Sequence, residues 1–197
     1  MFEVRIHGRG GQGVVSAAEL LSVAGFIEGA FAQAFPSFGS ERMGAPVLAF
    51  VRLAEKEIRS REPITNPDAL IIQDPTLLHQ VRVFDGLAPD GFVLINSTRS
   101  LNELMIGEDL RKLPDGHALA LPATELALRY VGRPVPNVAL LAGLCAITGR
   151  IKLSSIETAV SQKFKPEVAE RNIAAAREAY LLAGGAGASR SSHAQAM

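Results

Sequence analysis

The sequence predicts an α/β fold: a mostly parallel, doubly wound sheet that starts with a glycine-rich strand–loop–helix unit and ends in a helical cap. Three observations predict it. Phe2 to Ile6 alternates large apolar with charged residues and runs straight into glycines, after which Val14 to Glu28 carries apolar residues at helical spacing. Ala69 to Gln73 and Phe92 to Ile95 are short, continuous apolar runs of the kind buried on both faces of a parallel sheet. Beyond Asn137 the pattern turns helical throughout, which places a helical cap after the alternating strands and helices.

In chain order, Gly29 stands where a glycine closes the first helix, and Ala30 to Phe35 reads as a short extended segment ending in Pro36. Pro36 to Pro46 contains two prolines and two glycines and reads as a loop of the kind that carries function. Val47 to Leu53 alternates and reads as a strand, and an extended Ile58 to Arg61 would put Arg59 and Arg61 on one face. Asp74-Pro75 supplies an N-cap and first-turn proline for a short helix. His117 to Leu121 is a further strand, and Pro122 opens a helix to about Tyr130. Asn137 caps a helix that ends before Gly149, Ser154 and Glu157 form a capping box, and Pro166 opens a last helix to about Leu182. One domain is therefore expected over 1–182. Ala183 to Met197, without core residues, is expected to be a disordered tail.

A chain of 197 residues that is 48% apolar buries one substantial core. With 20 acidic and 20 basic residues it has no net field toward nucleic acid or an anionic membrane, and neither is expected as a partner. The longest apolar stretches, such as Val135 to Ile147, fall short of the roughly 20 residues that span a bilayer. The N-terminus has no basic segment leading into an apolar run, so a cytoplasmic location is expected. The single cysteine, Cys145, lies among Leu140, Leu141, Leu144 and Ile147; it reads as a buried thiol, and alone it cannot hold an iron–sulfur cluster. His7, His79, His117 and His193 have no partner at i+3 or i+4, and no metal site is expected.

Gly8, Gly10 and Gly13 match G-x-G-x-x-G between a strand and a helix. Such a turn can present backbone N–H groups beside the positive end of a helix, a seat for phosphate or another anion. The acid that would bind a ribose hydroxyl at the end of the second strand is missing, since that segment runs into Pro-Ser-Phe-Gly. The same glycines also serve close strand–helix packing. Ser40-Glu41-Arg42, with Arg52, Arg59 and Arg61, reads either as an anion-binding or docking surface or as a solvated rim. Phe35 and Phe38 flank that loop as core anchors or as an interface. No Gly-x-Ser-x-Gly elbow or Cys–His pair occurs, and no residue is assigned as catalytic.

The run His7-Gly-Arg-Gly-Gly-Gln-Gly-Val-Val15, then Gln33 to Pro46, Ile58-Arg-Ser-Arg61, Asp74-Pro-Thr76 and Pro136-Asn137, resembles the gamma subunit of pyruvate and related 2-oxoacid:ferredoxin oxidoreductases. The resemblance covers about residues 1 to 182. It implies a complex that decarboxylates a 2-oxoacid (pyruvate, branched-chain, aryl or similar) to an acyl-CoA. Electrons pass to ferredoxin or, in some members, to NAD. Thiamine diphosphate and [4Fe-4S] clusters would sit on alpha, beta and ferredoxin-like delta subunits, with an NAD-reducing flavin subunit in some complexes. This chain would hold no redox centre itself and would assist assembly and coenzyme A binding. Carried onto this sequence, Gly10, Gly11, Gln12 and Gly13 become candidates for a pantetheine or pyrophosphate contact, and Glu41 and Arg42 for the intersubunit edge of the active site. Two readings stand beside this one: a free-standing Rossmann-type nucleotide enzyme, and a purely structural subunit.

Overall fold

The computed structural model describes residues 1–37 and 43–191. Six strands form one sheet: β1 (Phe2–Arg9), β2 (Phe31–Pro36), β3 (Pro46–Ala54), β4 (Ala69–Ile72), β5 (Phe92–Asn96) and β6 (Ala118–Leu121), in the order β2-β3-β1-β4-β5-β6. β1, β4, β5 and β6 pair in parallel, while β3 runs antiparallel to both of its neighbours. The expected mostly parallel α/β sheet is thus present, with one reversed strand inserted between β1 and β2.

The helices are α1 (Val14–Ile27), α2 (Gly107–Leu110), α3 (Ala123–Val131), α4 (Asn137–Thr148), α5 (Leu153–Lys163) and α6 (Pro166–Ser191). Alternate side chains of β4 and β5 separate into two cores, as the pleat requires. Val4, Ile6, Ile71 and Leu94 join α1, α3, α4, α5 and α6 in the larger core. Leu70, Ile72, Val93 and Ile95 face a smaller layer built from Leu77, Val83, Leu104 and Ile106. That second layer consists of a 3-10 turn (Pro75–His79), irregular chain and the four-residue α2, not the full helices expected on both faces.

α4 lies close against the sheet because Gly143 leaves room. A Cβ there would come within 2.9 Å of Leu121 Cδ2 and 3.0 Å of Leu94 Cδ2. Several local expectations are corrected. Ile58 to Arg61, which would place Arg59 and Arg61 on one face if extended, is irregular chain. The Ser154–Glu157 capping box does not form: Ser154 already lies inside α5, whose N-cap is Lys152, and the Glu157 carboxylate instead takes two hydrogen bonds from Arg177, at 2.7 and 3.2 Å. α6 continues past Leu182, with Ala183 buried in the main core, so the expected break after Leu182 is absent. Residues 192–197 of the expected tail lie outside the described residues.

Leu94 is fully buried under α4. Leu94→Ala is therefore expected to cost about 2–5 kcal/mol, read from the urea midpoint of the chain.

Candidate functional site

β1 passes from Gly8 into the loop Gly10–Gly13, and α1 begins at Val14. Each glycine has a different task. A Cβ on Gly8 would lie 2.5 Å from Val14 Cγ2, so this glycine lets the helix settle on its strand. Gly11 and Gly13 have φ of 93° and 75°, the left-handed region that favours glycine. Gly10 is stitched to the returning loop: its N–H donates to the Ala45 carbonyl at 3.0 Å, and its carbonyl accepts from Gly44 N–H at 3.2 Å. The two loops singled out in the sequence therefore meet.

The turn is fixed from below by side chains. Gln12 Oε1 accepts from Arg9 N–H at 2.8 Å, and Gln12 Nε2 donates to Asp74 Oδ2 at 2.8 Å. Arg9 Nε donates to the same oxygen at 3.1 Å, while its Nη atoms reach the Gly44 carbonyl, Thr76 Oγ1 and Gln80 Oε1. Asp74 caps the 3-10 turn by accepting from Thr76 N–H at 3.0 Å. Burial acts to raise the Asp74 pKa, but hydrogen bonds from Thr76 and Gln12 and the charge of Arg9 outweigh it and hold the carboxyl below its ordinary value.

This network lies across the carboxyl ends of β1 and β4. The chain leaves β1 toward β2 at one side of the sheet and leaves β4 toward β5 at the other. Such a switch point is where open α/β sheets bind ligands. Gly11, Gly13, Val14 and Val15 N–H have no partner among the described residues, and they form the positive end of α1. Asn137 Nδ2 approaches the Gly13 carbonyl at 3.5 Å from the start of α4. Asn137 was expected to cap α4; it is instead the first residue of that helix, after an N-cap at Pro136.

Of the residues selected from sequence, Gly10, Gly11, Gln12 and Gly13 come together, although Gln12 is engaged as a brace. Glu41 and Arg42 lie outside the described residues, as does Phe38. Phe35 tilts against Phe50 at 5.1 Å between ring centroids, which anchors the end of β2. Of the proposed arginine surface, Ser40, Glu41 and Arg42 lie outside the described residues, and only Arg52, Arg59 and Arg61 can be placed. Arg52 is buried, pairs with Glu3 at 2.7 Å and donates to the Glu62 carbonyl at 2.7 Å, while Arg59 and Arg61 are exposed. Cys145 is buried, and burial, with the charge of Glu28 adding to it, pushes its thiol up to about 12, an inert group.

Sequence reasoning missed Arg9, three of whose four side-chain partners stand 65 to 71 residues along the chain, and a buried polar pair. Asn96 donates to the Gln73 carbonyl at 2.8 Å and accepts from Thr124 N–H at 3.0 Å, tying β4, β5 and α3 together. A signal for the other missed pair existed. Arg5 and His7 alternate with Val4 and Ile6, which puts two polar side chains on the second face of a central strand. Both are buried, and Arg5 Nε donates to His7 Nε2 at 3.1 Å. Burial, reinforced by the Arg5 charge, takes the His7 pKa down to about 3.

The architecture defines a class: a doubly wound α/β domain with a glycine turn braced at its switch point. The model of the pyruvate ferredoxin/flavodoxin oxidoreductase family matches residues 3–182. The chain belongs to that family, as a gamma-type subunit. It is 47% identical over 180 residues to the pyruvate/ketoisovalerate oxidoreductases common subunit gamma of Pyrococcus abyssi, covering 91% of this chain and 96% of that one. It is 42% identical, with the same coverage, to the pyruvate synthase subunit PorC of Methanocaldococcus jannaschii. Among solved structures, pyruvate oxidoreductase subunit PORC of Thermotoga maritima superposes with a TM-score of 0.77 at 35% identity, covering 91% of this chain and 95% of that one. The fold recurs over 31% of a longer chain, the 2-oxoglutarate:ferredoxin oxidoreductase of Magnetococcus marinus, with a TM-score of 0.75 at 18% identity and 93% of this chain covered. No helix among the described residues is long and apolar enough to cross a membrane.

Asp74→Ala removes the shared acceptor of Arg9, Gln12 and Thr76. It is expected to destabilise the chain by about 1–3 kcal/mol by thermal unfolding, and to speed amide exchange in Gly10 to Gly13. The His7 prediction concerns pH. Its folded pKa lies below the unfolded value of 6.5, so the unfolded chain binds the extra proton first and stability falls as pH drops from about 6.5 toward about 3. The slope attributable to one proton is about 1.4 kcal/mol per pH unit. His7→Gln, which keeps an acceptor for Arg5, is expected to lose that slope between pH 6 and 5 in urea titrations.

Proposed function

We propose that this chain serves a thiamine diphosphate-dependent complex that oxidatively decarboxylates a 2-oxoacid to an acyl-CoA, and that its glycine turn seats a phosphate of coenzyme A. The supporting observation is the set of N–H groups on Gly11, Gly13, Val14 and Val15, open at the positive end of α1 and held in place by the Arg9–Asp74–Gln12 network. Gly11 is exposed at the crest of the turn, where the nearest side chain is the exposed, flexible end of Met43. Gln12 acts as a brace, while Gly10, tied to Ala45 and Gly44, sets the turn against the returning loop. Glu41 and Arg42, between Ser37 and Met43 in the sequence, are proposed for the edge shared with another subunit.

Thiamine diphosphate, held by another subunit, would supply the nucleophile and electron sink for decarboxylation of the 2-oxoacid. One cysteine cannot ligate a four-iron cluster, which assigns the clusters in this reading to other chains. The proposed partners are alpha and beta subunits, a ferredoxin-like delta subunit and, where NAD is the acceptor, a flavin subunit, all in the cytoplasm. Relatives named for pyruvate and ketoisovalerate favour small 2-oxoacids as substrates.

The free-standing dinucleotide enzyme is the weaker reading. In a dinucleotide fold the second strand lies beside the first and ends in the acid that binds ribose. Here β3 stands between β1 and β2, and β2 ends in Pro36.

Gly11→Val places a side chain where coenzyme A is proposed to approach. In the assembled complex it is expected to raise the Michaelis constant for coenzyme A about tenfold or more, a change of about 1.4 kcal/mol. The Michaelis constant for the 2-oxoacid and the subunit stoichiometry are expected to stay unchanged. An unaltered coenzyme A constant would favour the purely structural subunit instead.

A further inference from the structure

The face of β1 and β3 opposite the main helical layer holds a cavity of about 630 Å³, within the range of about 300–1,000 Å³ typical of small-molecule sites. Its lining includes Leu48, Phe50, Ile64 and Leu77, with Arg5 and His7. Strand register puts Arg5 opposite Phe50 and His7 opposite Leu48, so these four side chains share one face.

Arg5 is only 7% exposed and makes no ion pair with a carboxylate within 4.0 Å among the described residues. Its hydrogen bonds are to neutral acceptors: His7 Nε2, the Val83 carbonyl at 2.9 Å and the Asp85 carbonyl at 2.6 Å. Nη1 has no partner among the described residues. His7 accepts from Arg5, so it contributes no compensating negative charge. The Asp85 charge acts on Arg5 without a direct ion pair, since it is the Asp85 backbone carbonyl that accepts the hydrogen bond; buried charges are ordinarily paired directly. Leu48, Phe50, Ile64 and Leu77 give the cavity an apolar wall, while Arg82 and Asp85 line its other side.

We propose that this cavity binds a small monocarboxylate with a branched or aromatic apolar body, its carboxylate on Arg5 and its body against Leu48, Phe50 and Ile64. The site is separate from the glycine turn, on the other face of the sheet from the α1 packing core, and does not rest on the coenzyme A reading.

Phenylacetate and its neutral isostere phenylacetamide test this on the full chain by saturation-transfer NMR with competition by coenzyme A. Phenylacetate is expected to bind, with the amide at least about tenfold weaker, as charge-assisted pairing to arginine requires. Arg5→Met is expected to weaken phenylacetate about tenfold or more. Leu48→Trp, which keeps Arg5 and fills the cavity, is expected to abolish it; that variant decides the matter if Arg5→Met does not fold by circular dichroism. Equal affinity for acid and amide, no binding at millimolar concentration, or binding unaffected by Leu48→Trp would each overturn the proposal. Displacement by coenzyme A would overturn it by merging the cavity with the proposed coenzyme A site. Binding to the chain that disappears in the assembled complex would overturn it by making this face a subunit contact.

Discussion

The local structure depends most on one carboxylate, Asp74. It stands at the end of β4, caps the turn that follows, and receives both Arg9 and Gln12 from the loop after β1. Without it the two parallel strands would end in loops free to separate at the switch point. The Arg9–Asp74 pair is partly buried, with side-chain exposures of 22% and 13%. Pairs of that kind contribute modest net energy, because desolvation offsets attraction. Their effect is geometric: one oxygen shared by two donors fixes where the glycine turn sits over the sheet, and Arg9 extends the same constraint to Gly44 and so to the returning loop.

The sheet is covered unequally, and its polar residues follow from that. On one face α1 and α3–α6 form the main core. On the other, a small layer covers β4 and β5, while β1 and β3 are roofed by irregular chain. Irregular chain brings unpaired carbonyls with it, and those must find donors. Arg52 serves Glu62 and, more distantly, Ser60; Arg5 serves Val83 and Asp85. Two buried arginines thus do on this face the work of the missing helices, with Arg52 also lying over the Phe35 ring at 5.3 Å.

Strand and helix positions were legible because periodicity and glycine or proline punctuation are local. β1, β4 and β5 and the starts of α1 and α6 follow from them directly. What was not legible depends on partners distant in sequence. Ser154 and Glu157 have the spacing of a capping box, but Arg177 on α6 offers Glu157 two hydrogen bonds, and the N-cap of α5 falls two residues earlier, at Lys152. The Arg59–Arg61 spacing gives a shared face only in extended chain, and Ile58 to Arg61 is irregular. The inserted direction of β3 could not be read, since an alternating strand looks alike in either sense. Of the site, the glycine turn was foreseen and the Pro36–Pro46 segment was singled out, but that the two meet was not. The brace was not, because Arg9 occupies a variable position of the motif and Asp74 looked like a cap alone.

The glycine motif itself shows why spacing is weak evidence for a ligand. Gly8 is fixed by contact with Val14, a packing demand that any tightly seated strand–helix unit would impose. Gly13 is fixed twice, by its left-handed conformation and by Asn137, whose Nδ2 would lie 2.8 Å from an added Cβ. Gly11 alone has its conformation as the main constraint, with only the flexible end of Met43 near an added Cβ. Packing therefore accounts for Gly8 and much of Gly13, while the exposed crest at Gly11 is where backbone faces open space. Any functional argument for the motif should rest on that position and on the unpaired N–H groups that follow it, and the family to which the chain belongs is supported independently of how those groups are used.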